Sequence, residues 1–179
     1  SAVASRVESA KLDWNAPVNA EIRRNPAARI VLIGDSHMQQ YWPRVLRVVD
    51  ETRNPLLPSI ELVTSSGCAP VPGLARIGNP CHEFVAAALA GSRAPEVTRV
   101  VLAASWAGLA SRDDLYLASD PQRRPIRFLA AEGRGPLEQW TRELASLRAM
   151  GKDVVVVLSS PRGRAVRPEL QYDRWRAAA

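Results

Sequence analysis

Four short runs of aliphatic and β-branched residues constrain the fold of this chain most. They are "RIVLIG" (29–34), "IELVTS" (60–65), "TRVVLAAS" (98–105) and "KDVVVVLSS" (152–160). Strands that are apolar along their whole length are typical of parallel sheets covered on both faces. Longer segments with helical patterning separate the runs. The sequence therefore predicts an α/β fold, a three-layer α/β/α sandwich around a parallel sheet with four visible strands.

The segments between the runs predict the helices. Pro43 suits the first turn of a helix in "PRVLRVVDE", and "HEFVAAALAGS" precedes the third strand. A third helix is predicted in "GPLEQWTRELASLRAMG", where Gly151 is placed as a stop. Its apolar residues recur at spacings of three and four, which indicates one buried face: Leu137, Trp140, Leu144 and Leu147.

Two segments fit this alternation less well. Residues 1–28 are polar and interrupted by prolines, which predicts an N-terminal extension or linker, with the domain proper over 29–179. Residues 108–135 predict a long insertion holding a short hairpin. Its arginines have two interpretations, a solvated loop or contacts to an anionic glycan or lipid headgroups: Arg112, Arg123, Arg124 and Arg127.

Composition narrows the classes of partner. The net charge is +6, but nearly all basic residues are scattered arginines, and no basic stripe is interleaved with stacking aromatics. We therefore expect no nucleic-acid partner. No apolar run approaches the ~20 residues needed to cross a membrane.

The two cysteines, Cys68 and Cys81, flank a connector rich in Pro and Gly. A disulfide closing a loop of this size stabilises a fold by up to ~3 kcal/mol and indicates an oxidising compartment. A zinc site is disfavoured, because no CxxC or His pair lies nearby, and we expect no metal. Two buried free thiols are the alternative.

Polar clusters follow each predicted strand: "GDSH", "SSGCAP", "SWAG" and "SSPRGR". Ligands of parallel sheets bind beyond the carboxyl ends of the strands, so these clusters predict a shared site. Ser36 has two interpretations here. It is either a helix cap, or a nucleophile exposed after a strand and favoured by the positive end of the helix that begins near Pro43.

"GDSH" after a strand resembles the first block of the SGNH (GDSL-like) hydrolase superfamily. The order "IVLIGDSHMQQYWP", "TSSGCAPVPG" with a second Cys, "VVLAASWAG" and "VVVVLSSPRG" is similar to one subgroup in particular. That subgroup is the SGNH domain fused behind the acyltransferase-family-three membrane domain, whose members O-acylate bacterial surface polysaccharides such as O-antigen. The similarity spans roughly residues 28–165.

The resemblance implies a role for each matching residue. Ser36 matches the nucleophile, and its amide and that of Gly67 match donors of the oxyanion hole, with an ordinary turn glycine as the alternative for Gly67. Asp35 is expected to tie down the turn. His37, whose side chain should point away from Ser36, is assigned to substrate binding, with the catalytic base as the alternative role. Trp106 is expected to form a sugar-stacking wall of the acceptor site, or else to be a core aromatic.

Two departures from the superfamily pattern stand out. The third block, "AASWAG", lacks the Asn that usually donates to the oxyanion. The D-x-x-H block is also missing, because no histidine follows His82, although Asp173 is present in "DRW". His82 itself is expected on the surface or behind the site. Because the parent fold has a fifth parallel strand, we expect the domain to be incomplete at its C-terminus, with that strand and the catalytic His and Asp outside these residues.

The resemblance implies an extracytoplasmic acyltransferase or esterase domain that uses Ser36 to transfer an acyl group, with acetyl favoured over other acyl groups, to a polysaccharide or lipid-linked glycan. The domain would need no cofactor, because an N-terminal membrane domain brings the acyl group from acyl-CoA. It would lie in the periplasm, tethered to the inner membrane. The alternative is a non-catalytic glycan-binding module. A nucleotide-binding domain ranks last, since no G-x-G-x-x-G follows the first strand.

Overall fold

The computed structural model describes residues 18–158, apart from Arg53, Pro55 and Pro80. In chain order its elements are β1 (Val18–Ile22), β2 (Asn25–Gly34), α1 (Ser36–Gln39), α2 (Trp42–Glu51), β3 (Pro58–Thr64), β4 (Leu74–Arg76), α3 (Cys81–Gly91), β5 (Val97–Ala103), α4 (Trp106–Ala110), β6 (Leu115–Leu117), a 3-10 turn (Ala131–Gly133), α5 (Arg134–Ala149) and β7 (Asp153–Val157).

Five strands form the main sheet in the order β1-β3-β2-β5-β7. Four neighbouring strands of this sheet are parallel, and each corresponds to one of the apolar runs: β3, β2, β5 and β7. β1 pairs antiparallel with β3 at one edge. The predicted α/β sandwich with a parallel sheet is confirmed.

Both faces of the central strand β2 are buried, which explains its continuous apolar run. Ile33 is fully buried in a cluster with Val85 and Leu147, so α3 and α5 cover that face. Leu32 belongs to a cluster on the other face with Met38, against which Trp42 of α2 packs. These two clusters separate the three layers of the domain.

The predicted helices are also present. α2 contains Pro43 in its first turn, and Gly151 adopts a positive φ of +79° just beyond α5. The apolar face of α5 serves two clusters. Leu144 and Leu147 pack into the main core, whereas Leu137 and Trp140 pack on a second cluster at the carboxyl end of the sheet.

That second cluster joins the loop between the cysteines to the 108–135 insertion. It contains Val71 and Leu74 from the first segment and Leu115 and Phe128 from the second. β4 and β6 pair antiparallel as a separate two-stranded sheet. The predicted hairpin within the insertion is wrong, because β6 pairs with β4 and makes only a single bridge, Leu115 to Ile126, within the insertion.

The N-terminal prediction needs correction where the structure describes it. Residues 18–28 were expected in an extension or linker, but they form β1 and the start of β2. β1 is a short edge strand whose residues are partly exposed, so its sequence "VNAEI" lacks a strong apolar pattern. The fifth strand of this sheet is thus antiparallel. The parallel fifth strand predicted outside the given residues remains a prediction, and residues 1–17 lie outside the described part.

Over the described residues, no helix combines the length and the hydropathy that crossing a bilayer requires.

Candidate active site

A cleft of about 700 Å³ lies at the carboxyl ends of the parallel strands. Its walls come from the turn after β2, the loops after β3 and β5, and the turn after β4. Three of the four polar clusters expected at this edge therefore meet in one place: Asp35, Ser36 and His37; Ser65, Ser66, Gly67 and Ala69; Ser105 and Gly108. The fourth cluster, 159–164, lies outside the described residues.

Asp35 joins the turn after β2 to the loop after β5. It is the N-cap of α1, and its Oδ1 accepts a hydrogen bond from the His37 N–H at 2.8 Å. Its Oδ2 accepts one from the Ser105 N–H, also at 2.8 Å, and the residue is only 5% exposed. A buried carboxylate with two such donors holds both loops in register.

Ser36 is the first residue of α1, not its cap, and its half-buried side chain lines the cleft. The helix-cap interpretation is therefore wrong, because Asp35 occupies that position. The positive end of the helix near Pro43 was expected to favour charge at Ser36, but Ser36 does not belong to that helix. α1 is a separate single turn of four residues, and α2 begins only at Trp42.

Glycine is required at two positions around Ser36. A Cβ on Gly34 would collide with the carbonyl oxygen of Ala103 on the neighbouring strand, so the close approach of β2 and β5 depends on it. Gly67 has a φ of +73°, and Arg76 Nη1 occupies the space that a Cβ would take. An alanine at Gly67 would thus be strained and would also displace a guanidinium.

The Gly67 loop is held from two sides. The Ser65 N–H donates to the Gly34 carbonyl at 3.1 Å, which ties the loop to the turn that carries Ser36. Cys68 forms a disulfide with Cys81, with Cα atoms 5.2 Å apart, so the predicted bond is confirmed and the free-thiol alternative is wrong. It fixes the start of α3 beside the cleft.

Two backbone donors at the cleft are free. Among the hydrogen bonds of the described residues, none uses the N–H of Ser36 or that of Gly67. Both residues line the same cleft. Unused amides at a cleft wall are suited to stabilise a developing negative charge on a substrate oxygen.

Neither histidine forms a hydrogen bond with the Ser36 hydroxyl in the described part of the chain. His37 lines the cleft, with its Nδ1 3.6 Å from Asp35 Oδ1. His82 is near the start of α3, with its Nε2 3.9 Å from Glu83, and it does not line the cleft. Asp173 lies outside the described residues.

Trp106 is placed away from the cleft lining. Its Nε1 donates to the carbonyl of Val157 at 2.8 Å, and its ring centroid lies 5.2 Å from that of Trp140. It packs on the second apolar cluster and anchors the end of β7. This placement favours the core-aromatic interpretation over a sugar-stacking wall.

Arg112, an arginine of the insertion considered for contacts to an anionic glycan, lies at the cleft in a cluster with Arg76 and Asp114 that the sequence did not predict. Arg76 and Arg112 both line the cleft, and both bind the carboxylate of Asp114. The hydrogen bonds from Arg112, and secondly those from Arg76, lower the pKa of Asp114 to about 2. The two arginines are 36 positions apart, and only the pairing of β4 with β6 brings them together.

Over the described residues, no group of three or more His, Cys, Asp or Glu side chains is arranged to hold a metal ion.

The insertion's other arginines do not line the cleft: Arg123 lies over the ring of Tyr116, Arg124 pairs with Asp120, and Arg127 is exposed.

No curated protein matches this chain. One similar solved structure is the periplasmic domain of a lipopolysaccharide acetyltransferase from Salmonella ser. Paratyphi A, at 9% identity and a TM-score of 0.49. The match covers 75% of this chain and 45% of that one, so this chain spans less than half of that protein's length. The family described as the SGNH domain fused to AT3 domains matches residues 8–179. The chain belongs to this family of SGNH domains.

Proposed function

We propose that this chain is the extracytoplasmic domain of an O-acyltransferase that uses Ser36 to pass an acyl group, specifically acetyl, to a hydroxyl of a bacterial surface polysaccharide or lipid-linked glycan. The observation that carries the proposal is the position of Ser36. It follows the central strand and lines a cleft with two unused backbone amides, its own and that of Gly67.

The proposed chemistry proceeds in two displacements. The Ser36 Oγ attacks the carbonyl carbon of the acyl donor, and the hydroxyl proton passes to a base. The carbonyl oxygen becomes an oxyanion, which accepts hydrogen bonds from the amides of Ser36 and Gly67. Its collapse expels the donor's leaving group, which takes up a proton, and leaves an ester on Ser36.

In the second displacement, a glycan hydroxyl replaces the leaving group. Its oxygen attacks the acyl carbon of the ester, its proton passes to the base, and a second oxyanion forms in the same position. Collapse breaks the bond to Ser36 Oγ, which is protonated again, and releases the acylated glycan. When water attacks in place of the glycan, the same cycle gives an esterase.

No base in the described residues is hydrogen-bonded to Ser36. A serine hydroxyl without a base is a poor nucleophile at neutral pH. We assign the base to a histidine of a D-x-x-H block outside the given residues, because neither His37 nor His82 is bonded to Ser36 in the described part.

The proposal also includes the source of the acyl group. Fusion to an AT3 domain is a property of the family. We propose that an N-terminal membrane domain receives the group from cytoplasmic acyl-CoA and delivers it to the cleft, so that the domain itself needs no cofactor. The disulfide agrees with a periplasmic location, tethered to the inner membrane.

The test is hydrolysis of p-nitrophenyl acetate by the full-length protein. We expect Ser36→Ala to lower kcat by about a thousand-fold or more, because the nucleophile is lost. Ser59→Ala is the matched control. Ser59 is equally a serine of the sheet region, but it hydrogen-bonds to Asn25 at the other end of the sheet, and its loss should leave the rate unchanged. A Ser36→Ala protein with the parent's rate would exclude Ser36 as nucleophile.

A second candidate is a non-catalytic module that binds and positions the glycan. The observation that favours it is the lack of a histidine bonded to Ser36 among the described residues. If the full-length parent and its Ser36→Ala variant bind the purified polysaccharide equally well and neither protein hydrolyses the ester, this candidate replaces the first.

A further inference from the structure

The cationic wall of the cleft is a feature that the proposed chemistry does not use. Arg76 ends β4, Arg112 follows α4, and both line the cleft that contains Ser36. Their side chains are 23% and 30% exposed. Both guanidiniums are therefore partly withdrawn from solvent yet open to the cleft.

Asp114 holds both guanidiniums in fixed orientations. Arg76 donates through Nε at 3.0 Å and Nη2 at 2.9 Å, both to Oδ2. Arg112 donates through Nε to Oδ1 at 2.6 Å and through Nη2 to Oδ2 at 2.7 Å. Each arginine thus uses the same edge, and in the described part of the chain the Nη1 of each has no hydrogen-bond partner.

The charge of this cluster is unbalanced. Two guanidiniums share one carboxylate, which remains ionised because its pKa is lowered to about 2. The acidic side chain that lines the same cleft, Asp35, is buried and accepts from the backbone N–H groups of His37 and Ser105. Asp113 and Asp35 also interact electrostatically with Arg112, but Asp113 does not line the cleft. The two guanidiniums are therefore the cationic donors that face the cleft, and Asp114 already holds them in orientation, which lowers the cost of ordering them on binding.

We propose that Arg76 and Arg112 form a subsite for an anionic group, a carboxylate or a phosphate, carried by the glycan that enters the cleft. The subsite rests on the proposed function for its ligand class, since the glycan is the acceptor of Ser36. It would select acidic over neutral acceptors and orient the sugar through a point of contact separate from the reacting hydroxyl.

Binding to the full-length protein with Ser36→Ala tests the subsite without catalysis. The probes are glucuronate, glucose 6-phosphate and glucose, measured by calorimetry at low and high salt. We expect the two anions to bind about tenfold tighter than glucose at low salt, because charge-assisted hydrogen bonds add to binding. The difference should shrink at high salt. Comparison of the two anions shows which group the subsite prefers.

The variant with Arg76→Gln and Arg112→Gln should lose the preference for anions. Arg127→Gln is the control, because Arg127 is an exposed arginine of the same insertion that does not line the cleft. If removal of both arginines unfolds the chain, Arg76→Lys with Arg112→Lys retains the charge and loses the fork, and it should weaken anion binding at least about threefold.

Equal affinity for the anions and for glucose in the parent would overturn the proposal. So would a preference that survives in the glutamine variant, or one that Arg127→Gln removes equally. A failure of the proposed function can be distinguished from a failure of the subsite. If Ser36→Ala did not lower the rate of ester hydrolysis, the binding results would be unchanged, because they are measured without the nucleophile.

Discussion

The two ends of the parallel sheet carry depressions of nearly equal volume, about 700 Å³ at the carboxyl end and about 720 Å³ at the amino end. Each contains arginine and carboxylate groups. At the amino end, the single guanidinium of Arg29 lies within 3.8 Å of three glutamates, Glu21, Glu61 and Glu96. At the carboxyl end, Arg76 and Arg112 share Asp114.

Neither the volume of a depression nor the presence of ion pairs therefore identifies a binding site. Arg29 contacts three glutamates, one of which also pairs with Arg23, so its guanidinium is occupied in joining β1, β2, β3 and the residue before β5. The arginines at the carboxyl end share one carboxylate, and in the described part of the chain their Nη1 groups face the cleft region without a hydrogen-bond partner. Only that end, within the described residues, also has a serine with free backbone amides beside it.

The disulfide reinforces the carboxyl end of the sheet alone. Reduction of Cys68–Cys81 should lower the free energy of unfolding by about 3 kcal/mol, because the bond closes a loop of separation 13. Urea unfolding with and without reductant measures the change. Hydrogen exchange should show lost protection in β4 and retained protection in β3. Uniform loss in both would contradict the separation of the two ends.

Gly67 and Gly78 allow the strain of a positive φ to be separated from contact with Arg76. Their φ values are +73° and +77°, but a Cβ on Gly78 would meet nothing within 4 Å. We expect Gly67→Ala to cost about 2–3 kcal/mol of stability and Gly78→Ala about 1 kcal/mol, measured by urea unfolding. Equal costs would show that Arg76 moves aside freely.

The loss of the buried carboxylate of Asp35 should destabilise the fold more than the loss of the more exposed carboxylate of Glu61. Asp35→Asn should cost about 2 kcal/mol, because an amide cannot accept from both His37 and Ser105 through two oxygens. Glu61→Gln at the amino end should cost under about 1 kcal/mol, since the side chains of Glu61 and Arg29 are each 32% exposed. Chemical denaturation ranks the two, and the reverse order would refute the assigned role of Asp35 in joining the two loops.

The smallest effect is a pH dependence from Asp114. Its pKa is lowered from 3.8 to about 2 in the fold, chiefly by hydrogen bonds from Arg112. The stability that the cluster supplies is therefore present in full above about pH 4 and is lost as the pH falls through about 2. We expect the parent to lose on the order of 1 kcal/mol more than Asp114→Asn between about pH 5 and pH 2. Parallel stability curves would contradict this.

Local pattern was sufficient for much of the fold. The continuously apolar runs predicted all four parallel strands, and Pro43 and Gly151 marked a helix start and a helix end. The Pro- and Gly-rich connector made the Cys68–Cys81 bond the favoured pairing. In each case the signal lies within a few residues of the feature, because backbone propensity and burial of a strand act locally.

Several features depend on contacts between distant segments. Edge strand β1 has too little apolar pattern to be recognised, and it forms because β3 offers an unpaired edge. Trp106 could not be assigned in advance, since its position between Val157 and Trp140 depends on where β7 and α5 pack.

The amino-acid order alone was enough to specify a parallel α/β sheet, its disulfide and a serine at the end of the central strand, because the patterns involved are short and repeated along the chain. It did not specify the arginine wall of the cleft that contains that serine. Arg76, Arg112 and Asp114 meet because β4 pairs with β6, two segments far apart in the sequence, and the pair of guanidiniums facing the cleft exists only once those strands have paired. Long-range pairing thus determines the electrostatic character of the cleft, whereas local pattern determines where the cleft lies.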